Sequence, residues 1–183
     1  RRRRRSRTRR RRRWAKRTLP TADGQAPKPT GEPAAHPLAK LSFPQFLGPN
    51  RDCKIPGPNL ATDWDATPPK KLWRQPIGAA WSGFAVAAQH AVTQEQRGEN
   101  EAVVCYDLQS GAVLWIHTDS GQYKTAIAGE GPRATPTIHN GKVYTLGATG
   151  VLNCLELTTG KPVWQRHIAI DAGLDLDAPV DQS

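Results

Sequence analysis

Cys105-Tyr106-Asp107-Leu108-Gln109-Ser110-Gly111-Ala112-Val113-Leu114-Trp115 decides how the rest of this sequence is read. It returns 49 residues later as Cys154-Leu155-Glu156-Leu157-Thr158-Thr159-Gly160-Lys161-Pro162-Val163-Trp164, without a gap. Cys aligns with Cys, acid with acid, Gly with Gly and Trp with Trp. Self-similarity at a spacing of a few tens of residues marks a repeat architecture, each repeat being one supersecondary unit.

The residue types of the unit have physical reasons. Gly111 and Gly160 supply the positive φ that a tight turn needs. Asp107 and Glu156 sit just before the turn, where a carboxylate can accept turn N–H groups. Trp115 and Trp164 can each lay the ring across the turn glycine of the unit, Gly111 or Gly160, and against the neighbouring repeat. Cys105 and Cys154 share one repeat position and read as small buried apolar side chains. With Cys53 they make three cysteines and no CxxC pair, which excludes a full disulfide framework and fits no zinc site.

Outward from the unit, each repeat reads as four short strands. In the second, Ala134–His139 and Lys142–Leu146 flank Asn140-Gly141, the strongest short hairpin signal. Val151–Leu157 and Lys161–Ile168 follow, with Pro162 marking the last strand as an edge. The first repeat gives Phe84–Ala88, Ala91–Gln96, Ala102–Asp107 and Ala112–His117. Its middle hairpin is longer by two residues and carries Arg97-Gly98-Glu99-Asn100. No segment has a helical period. Four-stranded units with the fourth strand outermost predict an all-β chain, a partial β-propeller of about two blades and the start of a third.

The expected boundaries are residues 1–17, an arginine-rich disordered tail; 18–40, a proline-rich linker; and 41–73, a lead-in. Residues 74–117 and 118–168 form the blades, and 169–183 begin the next inter-blade loop. The formal charge of +10 belongs to the tail. Residues 1–17 hold twelve Arg and Lys16, so 13 of the 26 basic side chains lie there, leaving 13 basic against 16 acidic and a net −3. The tail is either an electrostatic arm for RNA, DNA or anionic lipid, or sequence outside the native protein. It is not followed by the apolar stretch of a signal peptide, and no apolar run approaches the roughly 20 residues of a membrane span. The chain lacks an initial Met and reads as a fragment.

The unit resembles the tryptophan-docking motif of pyrroloquinoline-quinone-like (PQQ-like) β-propeller repeats, with Cys at the usual Ala position and Glu156 for the usual Asp. Phe43-Pro44-Gln45-Phe46-Leu47-Gly48-Pro49-Asn50-Arg51-Asp52 is similar to the opening of bacterial members, and Gly131-Pro132-Arg133-Ala134-Thr135-Pro136-Thr137 to their inter-blade segment. The resemblance implies seven or eight blades in the whole propeller and an extracytoplasmic place in the periplasm or cell envelope. Two isolated blades leave packing faces exposed, so the chain alone is expected to aggregate or unfold in part.

Function divides the family. One branch implies a non-catalytic scaffold that binds protein partners through its loops. The other implies a dehydrogenase acting on alcohols or sugars with PQQ and Ca²⁺. Nucleic-acid binding by the arginine arm is the third reading. The scaffold reading ranks first, with no catalytic or metal residue assigned. Tyr123, Lys124, Glu130 and Arg133, on the long connection from Thr118 to Arg133, are the candidates if a site exists. An ion pair between Arg133 and an acid is the structural alternative. Asp171, Asp175 and Asp177 lack the length and glycine of a calcium loop, and His36, His90, His117, His139 and His167 show no metal spacing.

Overall fold

A computed structural model describes residues 42–55 and 60–173. The tail, the linker and the acidic residues Asp175 and Asp177 lie outside the described residues. The elements are β1 (Ala85–Ala87), β2 (His90–Arg97), β3 (Asn100–Asp107), β4 (Val113–Ser120), β5 (Lys124–Thr125), β6 (Gly129–Glu130), β7 (Thr137–His139), β8 (Lys142–Leu146), β9 (Val151–Glu156), β10 (Pro162–His167) and α1 (Ile168–Asp171).

Strands β1–β4 form one antiparallel sheet in sequence order, and β7–β10 form a second in the same order. These are two successive propeller blades, with the motif tryptophans on the outermost strands β4 and β10. Between the blades lies a single apolar core. Ala85, Val92, Val103, Cys105 and Trp115 of the first blade meet Ile138, Val143, Leu155 and Leu157 of the second. Side-chain alternation along each strand places these residues on facing surfaces.

The first blade's opposite surface carries Ala91, Ala102, Val104 and Tyr106. The lead-in and the segment that follows it, as far as Ala79, cover it. Trp73 stacks on Tyr106 with ring centroids 6.2 Å apart, Gln75 Nε2 donates to the Gly111 carbonyl at 2.9 Å, and Gln96 N–H donates to the Ala79 carbonyl at 2.8 Å. Phe43 exchanges two backbone bonds with Val86, each 2.9 Å. The central strands β2 and β3 are therefore buried on both faces, while the outer strand β10 is exposed along most of its length.

Several details depart from the sequence reading, β7 beginning at Thr137 rather than Ala134 among them. Strand β4 runs three residues further, to Ser120 rather than His117, because β3 starts two residues earlier, at Asn100, and continues the ladder to Asn100↔Ser120. The longer middle hairpin is thus added strand length closed by the two-residue turn Gly98-Glu99, not a longer loop. A one-turn helix, α1, follows β10; Arg166 Nε bonds Asp171 Oδ2 at 2.9 Å at its end. The described residues contain no helix long and apolar enough to cross a membrane.

Candidate functional site

Strand order puts the Gly98-Glu99 turn and the connection from β4 to β7 at the same end of the blades. That end is footed on buried polar side chains of β2. Gln94 Nε2 donates to the Ala134 carbonyl at 2.7 Å, and Gln96 Nε2 donates to Gly121 and Gly98 carbonyls at 2.9 and 3.0 Å. Thr93 Oγ1 donates to the Gly83 carbonyl at 3.1 Å, while Gly83 N–H donates to Thr135 Oγ1 at 3.1 Å. Glu95 is fully buried. Its carboxylate accepts the Gly78 N–H and pairs with the Arg97 guanidinium, which satisfies a charge that would otherwise be costly in a dry interior. The Thr93–Gln96 run breaks the apolar pattern expected of a buried strand. That break is the signal that sequence reasoning missed.

From this footing rises a small hairpin, β5 paired with β6 in the register Lys124↔Glu130 and Thr125↔Gly129. All four candidate residues fall on or beside it. Gly131 and Pro132 are buried at its base, and Gly131 N–H closes it on the Tyr123 carbonyl at 2.9 Å. Arg133 lies over the Tyr123 ring, its guanidinium carbon 5.0 Å from the centroid. Its N–H groups go to the Gly131 carbonyl, to the Gly129 carbonyl at 3.1 Å and to Thr125 Oγ1 at 3.4 Å. Arg133 therefore ties the hairpin through carbonyls, a hydroxyl and a ring, not through an acid. Glu130 accepts from Gln122 Nε2 at 2.7 Å. Lys124 is exposed beside it.

The sequence reading also missed Trp81. Its backbone N–H donates to the Pro132 carbonyl at 3.0 Å, and its indole Nε1–H donates to the Ala128 carbonyl at 2.6 Å. The ring nevertheless stays two-thirds exposed, next to a fully exposed Ile127. The hairpin end thus presents Trp81, Tyr123 and Ile127 around a cation whose hydrogen bonds are already made.

A second polar group links the two blades. Asp119 of β4 accepts from Asn153 Nδ2 at 2.6 Å and Gln165 Nε2 at 2.8 Å, and Gln165 also donates to Asn153 Oδ1 at 2.8 Å. His117 Nε2 sits 3.3 Å from Asp119 Oδ1, poorly aligned for a hydrogen bond. Burial pushes the Asp119 pKa up, and its neighbours His117, Asn153 and Gln165 pull it down further, leaving it below the ordinary carboxylate value. Glu101 adds another tie, accepting Ala148 N–H at 2.9 Å and Thr149 Oγ1–H at 3.2 Å from the second blade.

The repeat unit itself shows no reactive group. Cys105 and Cys154 are buried free thiols. Burial, and secondarily Asp107, pushes the Cys105 pKa up to about 12, so it is a thiol at neutral pH. Asp107 accepts from Gln109 N–H at 3.1 Å and from Ser110 N–H and Oγ–H at 2.7 Å each. Glu156 does something else. Its longer side chain crosses the ladder to the Lys142 ammonium, directly opposite in register.

Trp115 covers the glycine of the next repeat, not its own. A Cβ added to Gly160 would lie 2.5 Å from the Trp115 ring, and Trp115 Nε1 donates to the Leu157 carbonyl at 2.8 Å. Trp73 treats Gly111 and the Leu108 carbonyl in the same way, with a 2.9 Å bond. For Trp115 the reason is the pleat: its ring leaves β4 on the face toward the following blade, which offers a turn without a side chain.

With these contacts in place, residues 73–178 match the family described as outer membrane protein assembly factor BamB. The chain belongs to this PQQ-repeat family. No curated protein matches the sequence. Solved structures with detectable similarity include a europium-containing methanol dehydrogenase (20% identity, TM-score 0.39, over 50% of this chain and 16% of that one). A quinohemoprotein alcohol dehydrogenase from Comamonas testosteroni gives 20% and 0.39 over 51% and 14%. BamB from Moraxella catarrhalis gives 21% and 0.32 over 48% and 22%. The chain spans less than a quarter of the length of each. Among the described residues, no three His, Cys, Asp or Glu side chains gather where they could hold a metal ion.

Proposed function

We propose that this chain is part of a non-catalytic scaffold of the cell envelope that binds protein partners through the loop end of its blades. The observation that carries the reading is the hairpin end. Trp, Tyr and Arg together are the composition of interface hot spots, and here Trp81, Tyr123 and Arg133 stand on a foot of buried, hydrogen-bonded polar side chains. A rigid foot lowers the entropy lost on binding. Membership of a family described as an outer membrane assembly factor supports an extracytoplasmic place.

The dehydrogenase reading needs oxygen ligands for calcium and free cations for a quinone. Of the candidates, Arg133 is spent on the hairpin and Glu130 is held by Gln122, while Lys124 is exposed with no carboxylate cluster beside it among the described residues. No step through PQQ or Ca²⁺ follows from them. The arginine arm of the nucleic-acid reading lies outside the described residues.

Photo-crosslinking from position 124 in the intact cell tests the scaffold reading. A discrete protein adduct at 124, absent when the probe is moved to exposed Lys161, is the expected result. Dye reduction by the protein with PQQ, Ca²⁺ and an alcohol, together with no adduct at 124, would overturn it.

A further inference from the structure

We propose that Asn140-Gly141 is a modification site, where slow deamidation uncouples the β7–β8 hairpin from the tryptophan seam between the blades. It lies at the opposite end of the blades from the β5–β6 hairpin, and the inference does not rest on the scaffold reading.

The chemistry is intramolecular. The Gly141 amide nitrogen attacks Asn140 Cγ; a new C–N bond forms, and Nδ2 leaves as ammonia with the proton of the attacking nitrogen. Water then opens the five-membered imide at either carbonyl, giving aspartate or isoaspartate. No oxidant or reductant takes part. Glycine in the second place leaves the attacking nitrogen without a neighbouring side chain.

The surroundings single out this residue. Asn140 and Gly141 are both exposed, and a Cβ on Gly141 would meet nothing within 4 Å. Asn153, by contrast, is buried with its amide bonded to Asp119 and Gln165. Asn50 and Asn100 precede Arg51 and Glu101, whose side chains crowd the nitrogen.

The closed turn guards against the reaction and is also what the reaction breaks. With φ of 47° and 71°, the primed turn keeps the Asn140 side chain and the Gly141 nitrogen apart, so attack waits for the hairpin to open. Opening is tied to the seam. Leu157 N–H donates to the Gly141 carbonyl at 2.9 Å, and the Leu157 carbonyl accepts Trp115 Nε1–H at 2.8 Å. Isoaspartate adds one methylene to the main chain. A two-residue turn closing the pair His139↔Lys142 cannot absorb it, so the Gly141 carbonyl leaves Leu157 and the seam loosens.

The test ages the full chain at mildly alkaline pH and follows its tryptic peptide 134–142 by mass spectrometry, with isoaspartyl methyltransferase to count isoaspartate. The folded chain should gain one mass unit at Asn140 at least about tenfold more slowly than the same chain in denaturing urea. Trp115→Phe keeps a ring over Gly160 but deletes the indole donor, and should speed the folded reaction about fivefold. Asn140→Gly, which accepts the positive φ, should abolish the gain. The isoaspartyl chain, separated by chromatography, should unfold at lower urea than Asn140→Asp, which adds the charge without the methylene. No gain at Asn140 in the folded chain, a rate equal to that in urea, or a rate unmoved by Trp115→Phe would overturn the proposal. So would an isoaspartyl chain that unfolds at the midpoint of Asn140→Asp.

Discussion

The two blades carry the same eleven-residue unit, yet only one is packed on both faces. In the first, six consecutive residues of β2 and six of β3 are buried, and Trp115 is 8% exposed. In the second, β8 alternates between buried and half-buried and Trp164 is 41% exposed, resting against Tyr144 with ring centroids 6.2 Å apart. The first blade lies between the lead-in and its successor. Beyond the second, no further blade is present among the described residues. A repeat's burial is therefore set by its neighbours more than by its own sequence, as expected of quasi-one-dimensional stacking.

The sharpest way to break that comparison is to cut the two equivalent rings. Trp115→Ala should cost about 3–5 kcal/mol, since it empties the inter-blade core, whereas Trp164→Ala should cost about 1 kcal/mol in this chain. Urea unfolding of both variants measures the difference. Equal losses would mean that the open face of the second blade is covered in solution.

Next comes the receiving side. Gly160→Ala should destabilise by about 2 kcal/mol, because its φ of 68° and the Trp115 ring oppose a Cβ together. Gly141 has a similar φ of 71° but open space around it, so Gly141→Ala isolates the backbone share, about 1 kcal/mol. A thermal melt of each separates the two contributions.

Two hairpins give a smaller, opposite effect. The second blade turns between β7 and β8 on Asn140-Gly141, with φ of 47° and 71°, as a primed turn requires. The first blade makes the same turn between β1 and β2 on Ala88-Gln89, with φ of 45° and 69°, where side chains are disfavoured. Replacing Ala88→Asn and Gln89→Gly together should stabilise the chain by about 1 kcal/mol, read as a higher urea midpoint.

The acids complete the series with a pH dependence. Burial raises the Asp107 pKa, and hydrogen bonds from Ser110 and Gln109 lower it further, so its folded value lies below the ordinary carboxylate value. Such a group contributes stability that is present above its unfolded pKa of about 3.9 and is lost as pH falls through the lower folded value. Asp119, at the junction between blades, acts in the same direction. Asp107→Asn and Asp119→Asn should each flatten the loss of stability on acidification below about pH 4. Glu156→Gln breaks only a half-exposed pair with Lys142 and should leave the stability at neutral pH nearly unchanged. An acid titration followed by tryptophan fluorescence compares the three.

The unit from Cys105 to Trp115 and its echo at Cys154–Trp164 determined the strand-turn-strand order, the all-β class and the family, because period-two alternation, turn glycines and Asn140-Gly141 are local constraints written in local residues. The candidate hairpin was legible only as a long connection bearing Tyr123, Lys124, Glu130 and Arg133. Tertiary structure alone decided that Trp115 serves Gly160 rather than Gly111, since that choice depends on which blade faces the ring. It also decided that Glu156 reaches Lys142 instead of its own turn, a matter of one methylene and of strand register. Trp81 joined the hairpin from 47 residues away, through its hydrogen bond to Ala128. Gln94, Glu95 and Gln96 look out of place in a core strand until the carbonyls, N–H and guanidinium they satisfy come into view. Sequence spacing fixes what one strand can do; which groups meet across sheets follows only from packing.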